Sequence, residues 1–161
     1  LKEVILTPDG YKKLQAEIEE LSTTRRREVA ERIRIAREFG DIAENAEYDS
    51  AKNDQALLEA RIAMLEERLK NSRVVTKKEI TAAQKSGEVS VGTKVRLKDM
   101  SSNKTVEYHL VGSAEANPAE LRISNESPVG RAIIGHKKGD VVEAAIPSGP
   151  RKFKIMEIKA A

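Results

Sequence analysis

Tyr48, Gln55, Ile62 and Leu69 recur every seven residues, and so do Ala51, Leu58 and Leu65. Interleaved, the two rows form one a/d seam over three heptads, the pattern of a helix packed lengthwise on another helix. The partner lies upstream. Leu14, Ile18 and Leu21 keep helical spacing, and Val29, Ile33 and Ala36 repeat it displaced by one residue, so the seam is expected to skip between the two groups. Thr7-Pro8-Asp9 makes a good helix start, with a capping hydroxyl, a proline suited to the first position and an acid for the positive helix end. Gly40 interrupts the pattern, and no proline occurs between Pro8 and Pro118. Two long helices joined near residues 40–46 must then pack antiparallel. About 30 residues per helix give an arm of roughly 45 Å, longer than a compact domain of about 75 residues needs. A protruding arm is expected; a longer bundle or a dimeric coiled coil is the alternative.

The period changes after Val74-Val75. Residues 76–88 are polar, contain Ser86-Gly87, and read as a linker. Short β-branched runs follow at Val89–Leu97, Thr105–Val111, Leu121–Ser124, Val141–Ile146 and Phe153–Ile158. Turn chemistry separates them at Asp99 to Asn103, Gly139-Asp140 and Pro147-Ser148-Gly149-Pro150. One short helix is expected from Ser127-Pro128 to Gly135, with Ser127 as its cap. The fold class is therefore α+β. An antiparallel coiled-coil hairpin over 1–75 is followed by a linker over 76–88 and a small, mostly antiparallel sheet domain over 89–161.

Charge is distributed unevenly. Residues 1–74 hold 14 Lys+Arg against 16 Asp+Glu, and residues 75–161 hold 15 against 10. A basic second half suggests an anionic partner, protein or nucleic acid. Around the turn the contrast is sharper. Residues 25–37 carry six arginines against two glutamates, whereas residues 38–54 carry six acids (Glu38, Asp41, Glu44, Glu47, Asp49, Asp54) and one base, Lys52. Carboxylates clustered at a projecting tip repel one another, and a bound cation relieves the cost. Oxygen-only ligands suit Mg²⁺, which takes one or two protein carboxylates and leaves the rest of its shell to water, phosphate or another protein. Asp41 and Glu44 are three apart, so on a turn or helix they point the same way. Two carboxylates do not close a metal cage; they could complete a site that a partner half-builds. A solvated acidic turn is the plain alternative. For the arginines the alternatives are helix-surface ion pairs, such as Glu28 with Arg32, or contact with an RNA backbone.

Composition removes several classes. With no cysteine there is no disulfide, thiolate metal site or cysteine nucleophile. The sequence shows no signal peptide and no apolar run of membrane-spanning length, so a cytoplasmic protein without membrane partners is expected. The five aromatics, Tyr11, Phe39, Tyr48, Tyr108 and Phe153, are too few for a platform on which RNA bases stack.

The string Arg37-Glu38-Phe39-Gly40-Asp41-Ile42-Ala43-Glu44-Asn45-Ala46-Glu47-Tyr48 resembles the signature of the bacterial Gre transcript cleavage factors, with Ile42 where leucine is usual. Leu6-Thr7-Pro8-Asp9-Gly10-Tyr11, Glu59-Ala60-Arg61-Ile62 and Ile123-Ser124-Asn125-Glu126-Ser127-Pro128 resemble further segments of the same family, so the resemblance spans almost the whole chain. It implies a coiled coil followed by a globular domain of FKBP-like shape. It also implies a function: a transcription elongation factor that is not an enzyme by itself. Such a factor enters the secondary channel of bacterial RNA polymerase and stimulates the polymerase's own cleavage of backtracked RNA. By this resemblance Asp41 and Glu44 help hold an Mg²⁺ shared with the polymerase active site, and no cofactor is bound by the chain alone. Arg37 and Lys52 stand at the family's basic positions near the nascent RNA 3′ end. Asn45, Glu47 and Tyr48 support the tip, although the heptad also gives Tyr48 a packing role. Asn125, Glu126, Ser127 and Pro128 match the polymerase-docking loop, with Glu126 where aspartate or asparagine is more usual. An arm that is not continuously basic suits short backtracks rather than long extruded RNA. The factor is expected to be a monomer.

Three rival readings stand beside this one. Some relatives inhibit polymerase through a rearranged, more acidic tip, and the intact Gly40-Asp41 and Glu44 to Tyr48 argue against that here. A prolyl isomerase or chaperone would need an aromatic-lined pocket, for which the second half offers only Tyr108 and Phe153. A stand-alone metal nuclease would need convergent ligands and a general base. His109 and His136 are far apart in the sequence, and structural or solvent roles are expected for both.

Overall fold

A computed structural model describes residues 3–39 and 45–160 of the chain. The chain divides into two compact units, Lys12–Asn71 and the combination of Leu1–Tyr11 with Ser72–Ala161.

In the helical unit the first helix runs without a break as α1 (Pro8–Glu20), a π-helical stretch (Leu21–Arg25) and α2 (Arg26–Glu38). The π stretch explains the one-residue displacement in the seam. A wider turn accommodates one extra residue, so Val29, Ile33 and Ala36 return to the same face as Leu14 and are buried like it. Thr23 Oγ1 donates to Glu19 O at 2.7 Å, a side-chain bond made inside that loosened stretch. After the turn comes α3 (Ala46–Lys70), which buries Ala51, Ile62 and Leu65. Val29, Ile33 and Ala51 form a small core against which Tyr48 and Leu58 pack. Arg26 with Glu59, Arg32 with Asp54, and Arg61 with Glu17 pair residues whose numbers run in opposite directions, as antiparallel helices require.

Both ends of this unit continue into short strands. β1 (Val4–Leu6) and β2 (Ser72–Val74) pair in parallel, Val4 opposite Ser72 and Leu6 opposite Val74. Val75 N–H extends the ladder, donating to Leu6 O at 2.8 Å. Thr7 then caps α1, its hydroxyl accepting from Gly10 N–H at 3.1 Å. The nearly buried carboxylate of Glu115 accepts from Thr7 N–H at 3.0 Å and from the Thr7 hydroxyl, with Arg122 at 3.7 Å. A Cβ at Gly112 would stand 1.7 Å from Ile5 O, so only glycine lets β1 lie this close.

Most of the stretch expected as a linker is instead a helix, α4 (Lys77–Ser86). Its signals are local. Thr76 and Glu79 make a reciprocal capping box, and Gly87 closes the C-terminus in the left-handed conformation. Ile80 alone is buried on α4, so the apolar period that betrays most helices is missing. The five-stranded sheet has the order β5-β4-β3-β7-β6, from β3 (Thr93–Asp99), β4 (Thr105–Val111), β5 (Arg122–Ser124), β6 (Val141–Ile146) and β7 (Gly149–Ala160). All its pairings are antiparallel except β4 with β5. The second short helix, α5 (Pro128–Ile133), has Ser127 as its cap as expected. One sheet face buries Val95, Leu97, Leu110, Val142, Phe153 and Ile155 with Ile80 of α4 and Ile133 of α5. On the other face β3 turns Lys94, Arg96 and Lys98 outward, whereas β4 buries Val111.

Candidate functional site

Asp41 and Glu44, the two proposed metal ligands, lie outside the described residues, as do Gly40, Ile42 and Ala43. What is described is the frame on either side. Phe39 is the C-cap of α2 and Asn45 the N-cap of α3. Asn45 serves both helices. Its Oδ1 accepts from Tyr48 N–H at 3.1 Å, filling one open donor of the α3 N-terminus. Its Nδ2 donates to Ala36 O at 2.6 Å, filling one open acceptor near the end of α2. One side chain thus ties α2 to α3 on either side of the acidic segment 40–44. Only asparagine and the longer glutamine end in a neutral carboxamide, with a donor and an acceptor side by side.

Tyr48 is half-buried against Val29, Ile33 and Ala51, so the packing role read from the heptad holds. The Arg37 guanidinium carbon lies 5.9 Å from the centroid of its ring, within cation–π range. Most of the arginine run is engaged in ion pairs on the helix surface. Arg25 meets Glu28, Arg26 meets Glu59 in a two-bond fork at 2.8 Å, Arg32 meets Asp54, and Arg34 lies between Glu31 and Glu38. The specific pair expected for Arg32, Glu28, is replaced by Asp54 across the hairpin. Hydrogen bonding raises the Arg26 and Arg34 pKa values and lowers those of Glu59 and Glu31. Arg27 and Arg37 have no carboxylate partner among the described residues. Of the two, Arg37 stands in the last turn of α2. Lys52 Nζ donates to Gln55 Oε1 at 3.0 Å, leaving further donors on its ammonium. Glu47 is exposed and lines a shallow groove with Arg32, Ile35, Ala36 and Phe39. Sequence reasoning passed over Phe39, which is 75% exposed at the end of α2.

The segment Asn125 to Pro128 is a built turn. Asn125 N–H donates to Val111 O at 3.1 Å, Glu126 N–H to Ser124 Oγ at 2.9 Å, and Ser127 Oγ to Ser124 O at 2.6 Å. Ser127 Oγ also accepts from Gly130 N–H at 3.1 Å. A Cβ on Gly130 would come within 2.0 Å of Ser124 O. Glu126 is exposed at the apex.

Tyr108 and Phe153 both pack into the sheet core, so they line no open proline pocket. His136 is exposed, with Nδ1 3.3 Å from Asp140 Oδ2, whose pKa is lowered first by the Lys137 N–H. His109 sits on β4, its Nε2 buried without a hydrogen-bond partner among the described residues. No three His, Asp or Glu side chains converge to hold a metal among the described residues. No described helix is long and apolar enough to cross a membrane.

An antiparallel helix pair and a five-stranded sheet domain are the two parts of one class of transcription elongation factor. Residues 4–74 match the family description "Transcription elongation factor, N-terminal", and residues 83–160 match "Transcription elongation factor, GreA/GreB, C-term". The chain belongs to the GreA/GreB family of transcription elongation factors. It is 54% identical to the transcription elongation factor GreA of Acetivibrio thermocellus, over 98% of this chain and 97% of that protein. It is 51% identical to GreA of Clostridium acetobutylicum, over 98% of each. Among solved structures it is similar to the GreA factor homolog 1 protein of Thermus thermophilus, at 31% identity and a TM-score of 0.43, covering 99% of this chain and all of that one.

Proposed function

We propose that this chain acts during transcript elongation by entering the secondary channel of RNA polymerase and stimulating cleavage of the 3′ end of backtracked RNA. The observation that carries the reading is the Asn45 bridge, because it joins the two helices on either side of the segment 40–44, which contains Asp41 and Glu44. Asp41 and Glu44 are the residues that would hold Mg²⁺, together with ligands from the polymerase. Two oxygens suit that ion only as part of a shell completed by others, and among the described residues no further group of side chains offers a closed site. When bound, the metal supplies charge stabilisation and an activated water at a phosphodiester. The chain's own residues position. Asn45 and the packed Tyr48 join the two helices, Arg37 offers a guanidinium to an RNA phosphate, and Lys52 offers an ammonium on the first turns of α3. The loop Asn125 to Pro128 presents Glu126 for docking. The chain is an accessory to the polymerase active site, which performs the cleavage.

The test uses halted, backtracked complexes carrying 3′-labelled RNA, with free RNA as control. At matched polymerase occupancy, Asp41→Ala and Glu44→Ala each lower the cleavage rate by roughly 100-fold, the scale for loss of an electrostatic contact to a developing charge. Free RNA stays intact throughout. A wild-type chain that occupies the complex and releases no 3′ fragment overturns the reading in favour of an inhibitory factor.

A further inference from the structure

A strand at the rim of a sheet leaves a row of backbone N–H and C=O groups unpaired, and the two rims of the five-stranded sheet differ. On the β5 rim Asn117 closes the row. Its N–H donates to Arg122 O at 2.8 Å, and its O accepts from Arg122 N–H at 3.1 Å. The β6 rim has no such cover among the described residues. Its register with β7 runs unbroken from Val141 opposite Lys154 to Ile146 opposite Gly149. Ile155 N–H donates to Asp140 O at 2.9 Å, so the even-numbered residues that follow turn their backbone groups toward β7. Those of Val141, Glu143 and Ala145 face away, and they make no hydrogen bond among the described residues. All three residues are exposed, Val141 at 53%.

Open rims are usually blunted by lysine, proline, a bulge or a very short strand. β6 has six residues, with no lysine, no proline and no break in register. Its one charge is Glu143, which stands opposite Lys152 and makes no ion pair among the described residues. The outer face of β6 thus reads apolar, acid, apolar through Val141, Glu143 and Ala145. On an arriving strand, the residues bonded to these three come to the same face. Opposite charges pair favourably across strands and like charges do not. A lysine or arginine therefore suits the position facing Glu143, and β-branched residues suit those facing Val141 and Ala145. Lys152 and Lys154 lie one strand further off, about 10 Å from the arriving strand and beyond the screening length of about 8 Å at physiological salt. A second copy of β6 brings no cation, since the strand contains none.

We infer that β6 is a docking edge for an extended segment of a partner protein, a strand with a basic residue between two apolar ones in alternation. Main-chain hydrogen bonds to Val141, Glu143 and Ala145 add that strand to the sheet, and Glu143 selects its charge. Neither Asp41 nor Glu44 takes part, so the inference stands apart from the cleavage reading, and its test needs no polymerase.

The probe is a capped, labelled peptide, Thr-Val-Thr-Lys-Thr-Val-Thr, whose pattern is the same in either strand direction. A second peptide carries glutamate in place of the lysine. Each is titrated with the full chain by fluorescence anisotropy, and amide hydrogen exchange is followed at Val141, Glu143 and Ala145. The lysine peptide is expected to bind, to slow exchange at those three amides, and to bind about fivefold more tightly than the glutamate peptide. Glu143→Lys is expected to reverse that order, which a merely structural role would not do. Ala145→Pro removes one outward donor and leaves the bonds to β7, a change that an edge strand accepts. It is expected to weaken the lysine peptide about fivefold, and circular dichroism verifies that both variants are folded. Absence of binding by the lysine peptide, binding without protection at the three amides, or an unchanged order in Glu143→Lys would overturn the site. So would protection of these amides in the chain alone that grows with its concentration, because the edge then belongs to a second copy.

Discussion

Replacing Asn45 separates the two bonds by which it joins α2 to α3. Asn45→Ala removes both the cap on Tyr48 N–H and the bond to Ala36 O. Loss of an N-cap costs about 1 kcal/mol. A part-buried hydrogen bond from side chain to carbonyl adds about another 1 kcal/mol. The sum, about 2 kcal/mol, changes the ratio of bridged to unbridged helix ends by a factor of about 30. Asn45→Ser keeps a capping oxygen on a side chain too short to reach Ala36, so it loses only the second part. Asn45→Asp also keeps the cap but turns a carboxylate oxygen toward the Ala36 carbonyl, and it falls below the serine variant. Hydrogen exchange followed at the Tyr48 amide reads the local opening directly, and backtracked-complex cleavage reads its consequence. The expected order of protection is wild type, serine, aspartate, alanine. If the serine variant protects Tyr48 and cleaves as wild type does, the tie to Ala36 contributes nothing. If the alanine variant leaves Tyr48 exchange unchanged, the cap itself is not formed in solution.

Deleting Thr24 from the π stretch should leave the hairpin folded, because a plain α-helix then keeps Leu14 and Val29 on one face. Deleting Ala30 instead turns Ile33 and Ala36 about 100° away from the seam and should cost several kcal/mol in urea unfolding; equal effects would refute the π-turn account. The His109 pKa is lowered mainly by burial, then by Arg122 and Lys94, with Glu115 and Asp9 opposing. The unfolded chain therefore takes up that proton first, and stability falls as pH drops from about 6.5 toward the depressed folded value. His109→Gln should flatten that part of the profile, whereas Asp140, Glu31 and Glu59 titrate only at lower pH. Lys98→Glu alone converts a like pair into an ion pair with Lys154 and should stabilise the domain by about 0.2–1 kcal/mol, measured by chemical denaturation.

The parts legible in the sequence are those set by repeated or local chemistry. The α3 seam, the one-residue skip at Leu21 to Val29, the cap at Ser127 and the strand limits of β4 and β6 each rest on a period or a turn signal. The parallel pair of β1 with β2 rests on neither. Three residues each, separated by the whole hairpin, leave no period to count, and the buried Glu115 that locks Thr7 is 108 residues away from it. The helix α4 was readable from Thr76, Glu79 and Gly87, but polar composition hid it. At the turn, Asn45 ahead of Ala-Glu-Tyr-Asp announces a cap, whereas its second bond to Ala36 follows only once two antiparallel helices meet. That second bond explains why asparagine, and not merely any capping residue, suits position 45. A cap alone would be satisfied by serine, threonine or aspartate; a bridge between two helix ends needs a donor and an acceptor on one short, uncharged side chain.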